Sequence, residues 1–348
     1  MLNFGIPNKF MLSIVDIAKM KELLHKKKDI VITTHLNPDG DAIGSSLGLY
    51  NFLLQKKHKV TVIPPNDCPD FLKWMEGSKE ILPYESNSKK ADKLIAAADI
   101  LFCLDFNALS RIDKMEPAVA NAKGFKVLID HHLQPQSFPD ISISDTSACS
   151  TCQLVYEFIE ALGETSKITT AIANCLYTGI MTDTGSFRFD STTATTHRIL
   201  ADLIEAGAQK TYIHEQVYDT HSENRMNLLG HCLAHKLTVL HDYKTAFISL
   251  SAEELERFHY KKGDTEGFVN YALSVLHVRF AAIFIERNEL IKISFRSKGN
   301  FDVNTFAREN FSGGGHFNAA GAHSELSLDE TILKFVALLP AYKNSLLA

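Results

Sequence analysis

Through its first 190 residues the chain repeats one cadence: a short β-branched run, a loop, then a stretch with helical spacing. Alternation of that kind folds as a parallel sheet with crossover helices, because parallel neighbours cannot be joined by a tight turn. Strands are expected over 29–35, 59–63, 99–106 and 125–130, and helices over 42–55, 168–181 and 193–206. Helical spacing without a proline continues over 223–240, which reads as a linker. From Lys244 a second unit begins, with strand 245–250, helices 252–258 and 266–276, and strands 279–286 and 290–296 joined by a hairpin turn around Arg287-Asn288-Glu289. Helix 301–309, a Gly-rich loop Gly313-Gly314-Gly315-His316 and a closing helix 328–342 complete it. The fold class is α/β: a doubly wound N-terminal domain (1–218) with a mainly parallel sheet, a helical linker (219–240) and a smaller α+β C-terminal domain (241–348). At ~100–200 residues per domain, a chain of 348 suits that division.

Composition excludes several classes. With 36 Lys+Arg against 41 Asp+Glu, a net charge of -5 and 45% hydrophobic residues, this is neither a disordered tail nor a fibrous chain. The longest apolar runs, such as Ala281-Ala282-Ile283-Phe284-Ile285, fall short of the ~18–20 residues of a membrane span. Met1 to Met20 lacks the basic start, apolar run and small-residue site of a secretory signal, so a cytoplasmic location is expected. The 6 cysteines form no recognisable disulfide framework. A mildly acidic protein has no basic track for long nucleic acid, so a polyanionic substrate would be small or met by metal.

The chemistry concentrates at strand ends. His35-Leu36-Asn37-Pro38-Asp39-Gly40-Asp41-Ala42 follows an apolar strand and precedes a helix, the place where open α/β sheets bind ligands. Pro38 and Gly40 turn the loop tightly enough for His35, Asp39 and Asp41 to converge, although a helix-capping turn would explain the same aspartates. Asp105 ends the strand Ile100-Leu101-Phe102-Cys103-Leu104, Asp130-His131-His132 ends Phe125-Lys126-Val127-Leu128-Ile129, and Asp183 follows an apolar helix. Each alone is as well explained as a cap or a solvated acid; four at one edge are not. Carboxylates and imidazoles without cysteine suit Mn²⁺ or Mg²⁺ rather than structural zinc. The donors exceed what one ion takes and imply two, ~3.5–4 Å apart, sharing a carboxylate and a water-derived hydroxide, with phosphoester hydrolysis as the natural reaction.

Taken together, His35 to Ser45, Asp105, Asp130-His131-His132, Asp183 and Gly313-Gly314-Gly315-His316 resemble the DHH phosphoesterase superfamily with its associated C-terminal domain, in order and over nearly the whole chain. Within it the two-domain length is most similar to the short stand-alone nanoRNases of the NrnA type. The resemblance implies one cation held by His35, Asp39 and Asp105, and a second held by Asp41, Asp105, His131 and Asp183. Asp105 would be the bridge, Asp130 would orient an imidazole, and His132 would face the scissile phosphate, making His132, Asp105 and Asp130 the catalytic set. The ions would be Mn²⁺, with Mg²⁺ or Co²⁺ as alternatives.

The second domain adds a substrate face. Gly313 to Gly315 free backbone N–H groups for an anion-binding nest beside His316, and Arg296 and Ser297 on the adjacent strand resemble the superfamily's phosphate-binding residues. Arg111 is a further phosphate candidate. An active site in the cleft between domains would select short single-stranded RNA and small phosphorylated nucleotides, without long nucleic acid or membrane, and admits a homodimer. The implied reactions are release of 5'-mononucleotides from short oligoribonucleotides and conversion of 3'-phosphoadenosine 5'-phosphate to AMP. A cyclic-dinucleotide phosphodiesterase, a pyrophosphatase or exopolyphosphatase, and a non-catalytic nucleotide-binding protein are the alternatives. Cys149-Ser150-Thr151-Cys152 has redox or zinc spacing but no second pair and is expected to be structural, and His231 and His235 lack the glutamate of a zinc-protease helix and are expected on the surface of the linker helix.

Overall fold

The computed structural model describes residues 13–287 and 290–347; residues 1–12, Asn288, Glu289 and Ala348, and with them the hairpin turn expected around Arg287-Asn288-Glu289, lie outside the described residues. The chain divides into two compact units between Thr220 and His221.

In the first unit, strands β1 (Asp29–Thr33), β2 (Lys59–Val62), β3 (Ile100–Leu104), β4 (Phe125–Asp130) and β5 (Ile141–Ser144) form one sheet, ordered β2-β1-β3-β4-β5, with every pair parallel. Helices α1 (Ile14–Leu23), α2 (Gly40–Gln55), α3 (Tyr84–Ala97), α4 (Glu116–Asn121), α5 (Thr151–Ala161), α6 (Thr170–Asp183), α7 (Ala194–Glu205) and α8 (Lys210–Tyr218) accompany it. Side chains alternate across the pleat. Ile30, Ile32, Phe102 and Ile129 join a core with α2, α5 and α6, whereas Val31, Leu101, Cys103 and Leu128 join another with α3 and α4. Burial on both faces is why the β3 sequence is apolar without interruption. This is the doubly wound parallel sheet expected.

The strand order reverses at β1, with β2 on one side and β3 on the other. At such a switch point, flanking loops diverge and leave a crevice outside the strands' carboxyl ends. The chain leaves β1, β3 and β4 into loops there.

In the second unit, β6 (Leu237–Leu240), β7 (Thr245–Leu250), β8 (Phe280–Arg287), β9 (Leu290–Ser297), β10 (Ser312–His316) and β11 (Ala319–Ser324) lie in the order β10-β11-β9-β8-β7-β6. Among the described residues, only β7 and β8 pair parallel. Helices α9 (Glu223–His231), α10 (Ala252–Arg257), α11 (Phe268–Ser274), α12 (Val303–Asn310) and α13 (Leu328–Leu347) complete the unit. Phe280, Phe284 and Phe295 face Phe306 and Phe335 on one side, and Ala281, Ile283 and Ile285 face Leu228 and Phe268 on the other.

Two expectations are corrected. The linker helix over 219–240 ends in α9 and a π turn at Cys232–Lys236, and Leu237-Thr238-Val239-Leu240 becomes β6, paired with β7. Apolar and β-branched residues satisfied the helical spacing, but an open sheet edge decided the conformation. Leu228, Leu229 and Cys232 are core of the second unit rather than linker. The Gly-rich loop is strand β10: Gly313 and Gly315 lie against Ala322 and Ala320 of β11, so two small-residue strands pair closely. The N–H of Gly315 donates to Asn304 Oδ1 at 2.9 Å.

Candidate metal centre

The loop after β1 delivers three donors. Asp39 caps α2, its Oδ1 accepting the N–H groups of Asp41 (3.0 Å) and Ala42 (3.1 Å). The capping explanation therefore holds for one oxygen only; Oδ2 lies 3.9 Å from His35 Nε2. Asp41, in the first turn of α2, is 1% exposed.

Asp105 follows β3 in the left-handed region (φ 64), with its N–H bound to Ile129 of β4 at 3.0 Å. Aspartate is among the few side chains that tolerate this backbone. Its two oxygens diverge: Oδ2 lies 3.4 Å from His35 Nε2 and Oδ1 lies 3.6 Å from His131 Nε2. His131, just past β4, also sets Nε2 at 3.4 Å from Asp183 Oδ2 and 3.8 Å from Asp41 Oδ2. Asp183 comes from the last position of α6. The structure thus brings His35, Asp39 and Asp105 into one group and Asp41, His131 and Asp183 into another, with Asp105 touching both.

Both imidazoles are oriented from behind. A carbonyl can only accept, so the contacts of His35 Nδ1 with Leu36 O (2.9 Å) and His131 Nδ1 with Ala148 O (3.3 Å) put the proton on Nδ1. In the neutral ring, the Nε2 lone pairs then face carboxylates. On protein groups alone that arrangement repels unless the rings take up protons. Burial disfavours charge on His35, yet Asp105 and Asp39 outweigh it and raise its pKa to about 9. His131 is likewise raised to about 9, burial being overcome by Asp183, Asp105 and Asp41. Burial and the neighbouring carboxylates raise Asp183 to about 7 and push Asp41 up as well. Asp105 is held well below the usual range, because the His35 hydrogen bond and the surrounding imidazoles overcome its burial. Four carboxylates with two back-oriented imidazoles fit divalent cations, which would use the Nε2 lone pairs directly and neutralise the acids.

Asp130 is fully buried and its Oδ1 pairs with His132 Nδ1 at 2.7 Å. The imidazole it orients is therefore that of His132, not the ring in the carboxylate cluster. Arg111 is half-buried in the turn after β3, its carbonyl accepts the Leu36 N–H at 2.8 Å, and its charge acts on His35. In the second unit, Arg296 on β9 and His316 on β10 are half-buried, both registered against Ala319 of β11. Ser297 is buried, donates its hydroxyl to Phe301 O at 2.6 Å and accepts from Asn318 at 2.8 Å, so the unit's own structure engages it. His231, expected at the surface, is half-buried and lies 2.8 Å from Glu254.

The start of α5 joins the site without any sequence motif that points to it. Thr151 and Cys152 donate their backbone N–H groups to Asp41 Oδ2 (2.6 Å) and Oδ1 (2.8 Å), and the Thr151 hydroxyl donates to Asp105 Oδ1 at 2.9 Å. The Cys-Ser-Thr-Cys motif matters for its amides and hydroxyl rather than its thiols, which are buried and free. The helices meet closely: a Cβ on Gly44 would stand 2.6 Å from the Cys175 carbonyl, and one on Gly179 would collide with Cys152 Sγ and approach Asp41 Oδ1 to 2.9 Å. The spacing Gly40, Gly44, Gly48 is the readable signal of that approach.

Comparisons with known proteins agree with this architecture. Residues 29–180 match the DHH family, N-terminal domain, and residues 244–339 match the DHHA1 domain. A Thermus thermophilus protein named bifunctional oligoribonuclease and PAP phosphatase NrnA is 30% identical over 303 residues, 86% of each chain. The Bacillus subtilis protein of the same name is 28% identical over 86% of this chain and 90% of its own. A crystal structure described as an exopolyphosphatase-related protein from Bacteroides fragilis superposes with a TM-score of 0.93 at 46% identity, covering 97% of this chain and 99% of that one. The chain belongs to the DHH family, with an N-terminal DHH domain followed by a DHHA1 domain.

Proposed function

We propose that the protein is a divalent-metal-dependent phosphoesterase that hydrolyses short oligoribonucleotides to 5'-mononucleotides and 3'-phosphoadenosine 5'-phosphate to AMP. The observation that carries the reading is the divergence of the Asp105 oxygens, one toward His35 and one toward His131. His35, Asp39 and Asp105 would hold one cation, and Asp41, Asp105, His131 and Asp183 the other. Two such cations, Mn²⁺ by the donor set, would activate water and draw off charge as the phosphoester bond breaks. With Nδ1 committed to Asp130, the Nε2 of His132 is the nitrogen that would meet a phosphoryl oxygen or protonate the leaving oxygen. Arg111, Arg296, His316 and the backbone of Gly313 to Gly315 are proposed to bind substrate phosphates. The names of the Thermus and Bacillus relatives support the substrate class.

A second reading, polyphosphate hydrolysis, draws on the description of the Bacteroides fragilis structure. Turnover of pApA, 3'-phosphoadenosine 5'-phosphate, cyclic-di-AMP, pyrophosphate and polyphosphate, side by side with Mn²⁺, separates the readings. The dinucleotide and the bisphosphate are expected to lead. Release of phosphate from polyphosphate alone would favour the second reading, and nucleotide binding without product would refute both.

A further inference from the structure

The two groups of donors are mechanically linked through a residue that belongs to neither. Thr151 is fully buried in the first turn of α5, just past the capping residue Ser150. Its backbone N–H donates to Asp41 Oδ2 at 2.6 Å and its hydroxyl donates to Asp105 Oδ1 at 2.9 Å. The next N–H, of Cys152, takes the other Asp41 oxygen at 2.8 Å. Asp41 is thus gripped at both oxygens by amides at the start of a helix, which stops rotation about the carboxylate. Among the described residues Asp105 has no such backbone grip on its carboxylate, and its one hydroxyl donor is Thr151.

We infer that Thr151 is the positioning residue that makes Asp105 a shared ligand, holding Oδ1 on the Asp41–His131–Asp183 side while Oδ2 stays with His35. The inference rests on the two-cation reading above. A carboxylate bridges two ions only if its plane is fixed across both, and torsion about its last bond is otherwise soft. Without the hydroxyl, Asp105 is free to turn both oxygens toward His35 and Asp39. The Asp41–His131–Asp183 group then loses a ligand, although Asp41 keeps its amides. The defect is therefore one-sided. Thr151→Val preserves shape and backbone and deletes only the donor; Thr151→Ser keeps the donor and deletes the methyl.

The test is Mn²⁺ binding by metal-stripped full-length protein, read as free-ion paramagnetic resonance and by calorimetry, together with the metal-free melting curve. Wild type and Thr151→Ser are expected to bind two ions. Thr151→Val is expected to keep one ion at wild-type affinity and to bind the second 10- to 100-fold more weakly, the usual range for losing a group that orients a ligand. Its kcat should recover at high Mn²⁺ with KM for substrate unchanged. Two tight ions in Thr151→Val would overturn the inference. So would an equal loss of both ions in the Val and Ser variants alongside lowered metal-free melting, because that is the mark of packing. Should Thr151→Val fail to fold, Thr151→Ser decides: loss of the second ion there also refutes the role. Wild type binding fewer than two ions would sink the two-cation reading itself, a different failure from a normal wild type with an indifferent variant.

Discussion

Adding one methyl group at Gly179 is expected to damage the protein in two separable ways. An exposed helical glycine changed to alanine gains roughly 1 kcal/mol of stability. Gly230 in α9 is such a position, since a Cβ placed there would meet nothing within 4 Å, so Gly230→Ala should be stabilising by about that amount. At Gly179 the same methyl collides with Cys152 Sγ and comes within 2.9 Å of Asp41 Oδ1. Overpacking typically costs about 1–3 kcal/mol, which cancels or exceeds the helical gain, and a net loss of roughly 0–2 kcal/mol follows. Trimming the sulfur should restore room: Cys152→Ala with Gly179→Ala should be more stable than the sum of the single changes by about 1 kcal/mol or more, within the coupling range of contacting residues. The contact with Asp41 survives that trimming, so Mn²⁺-dependent hydrolysis should stay depressed in the double variant while stability returns. Urea unfolding of the four variants, with pApA turnover on each, provides both readouts. Additive stabilities, or a Gly179→Ala protein stabilised like Gly230→Ala, would refute the close-packing argument. Gly44→Ala is the contrasting case, because its obstacle is the Cys175 carbonyl at 2.6 Å, which no side-chain change removes.

Asp105→Asn keeps a side chain that tolerates the left-handed backbone, so circular dichroism should be unchanged while hydrolysis falls below detection; near-normal turnover would defeat the shared-ligand role. Glu254 accepts from Ser251 N–H at 2.9 Å and lies 2.8 Å from His231 and 3.0 Å from Lys236. Although burial pushes its pKa up, these partners hold it at about 2, below its ordinary 4.5. A depressed carboxyl stabilises the fold above its unfolded pKa and loses that contribution as pH falls through the folded one. Glu254→Gln should therefore cost roughly 1–3 kcal/mol at pH 7, and the gap from wild type should close between about pH 4.5 and pH 2 in urea titrations. A gap independent of pH would refute the ion-pair account. His316→Ala should raise KM or lower kcat/KM for dinucleotides without loss of bound Mn²⁺; metal content falling in step with activity would make His316 part of the ion site.

The sheet of the first unit is legible because strands buried on both faces write continuous apolar runs, as in Ile100 to Leu104. The donors that converge are legible for a related reason: each ends or follows such a run, and parallel strands carry all their carboxyl ends to one edge. What stays hidden depends on partners remote in the chain. Leu237 to Leu240 obeys a helical period and becomes β6 only because β7 offers an edge. Gly313 to Gly315 has loop composition and becomes β10 because β11 is equally narrow. Thr151 reads as filler before a helix; its importance comes from Asp41 and Asp105, 110 and 46 residues away. Backbone amides, moreover, leave no mark in a sequence.

The donors run from His35 to Asp183, through three strand ends and the far end of a helix. Any fragment that contains them all spans most of the first unit, and none could hold them in register before β1, β3, β4 and α6 have all docked. A cation seated there would act as a late clasp, tightening only a finished domain and stabilising it by mass action over every incomplete one. Metal uptake during refolding should consequently trail the recovery of secondary structure and coincide with the last burial step.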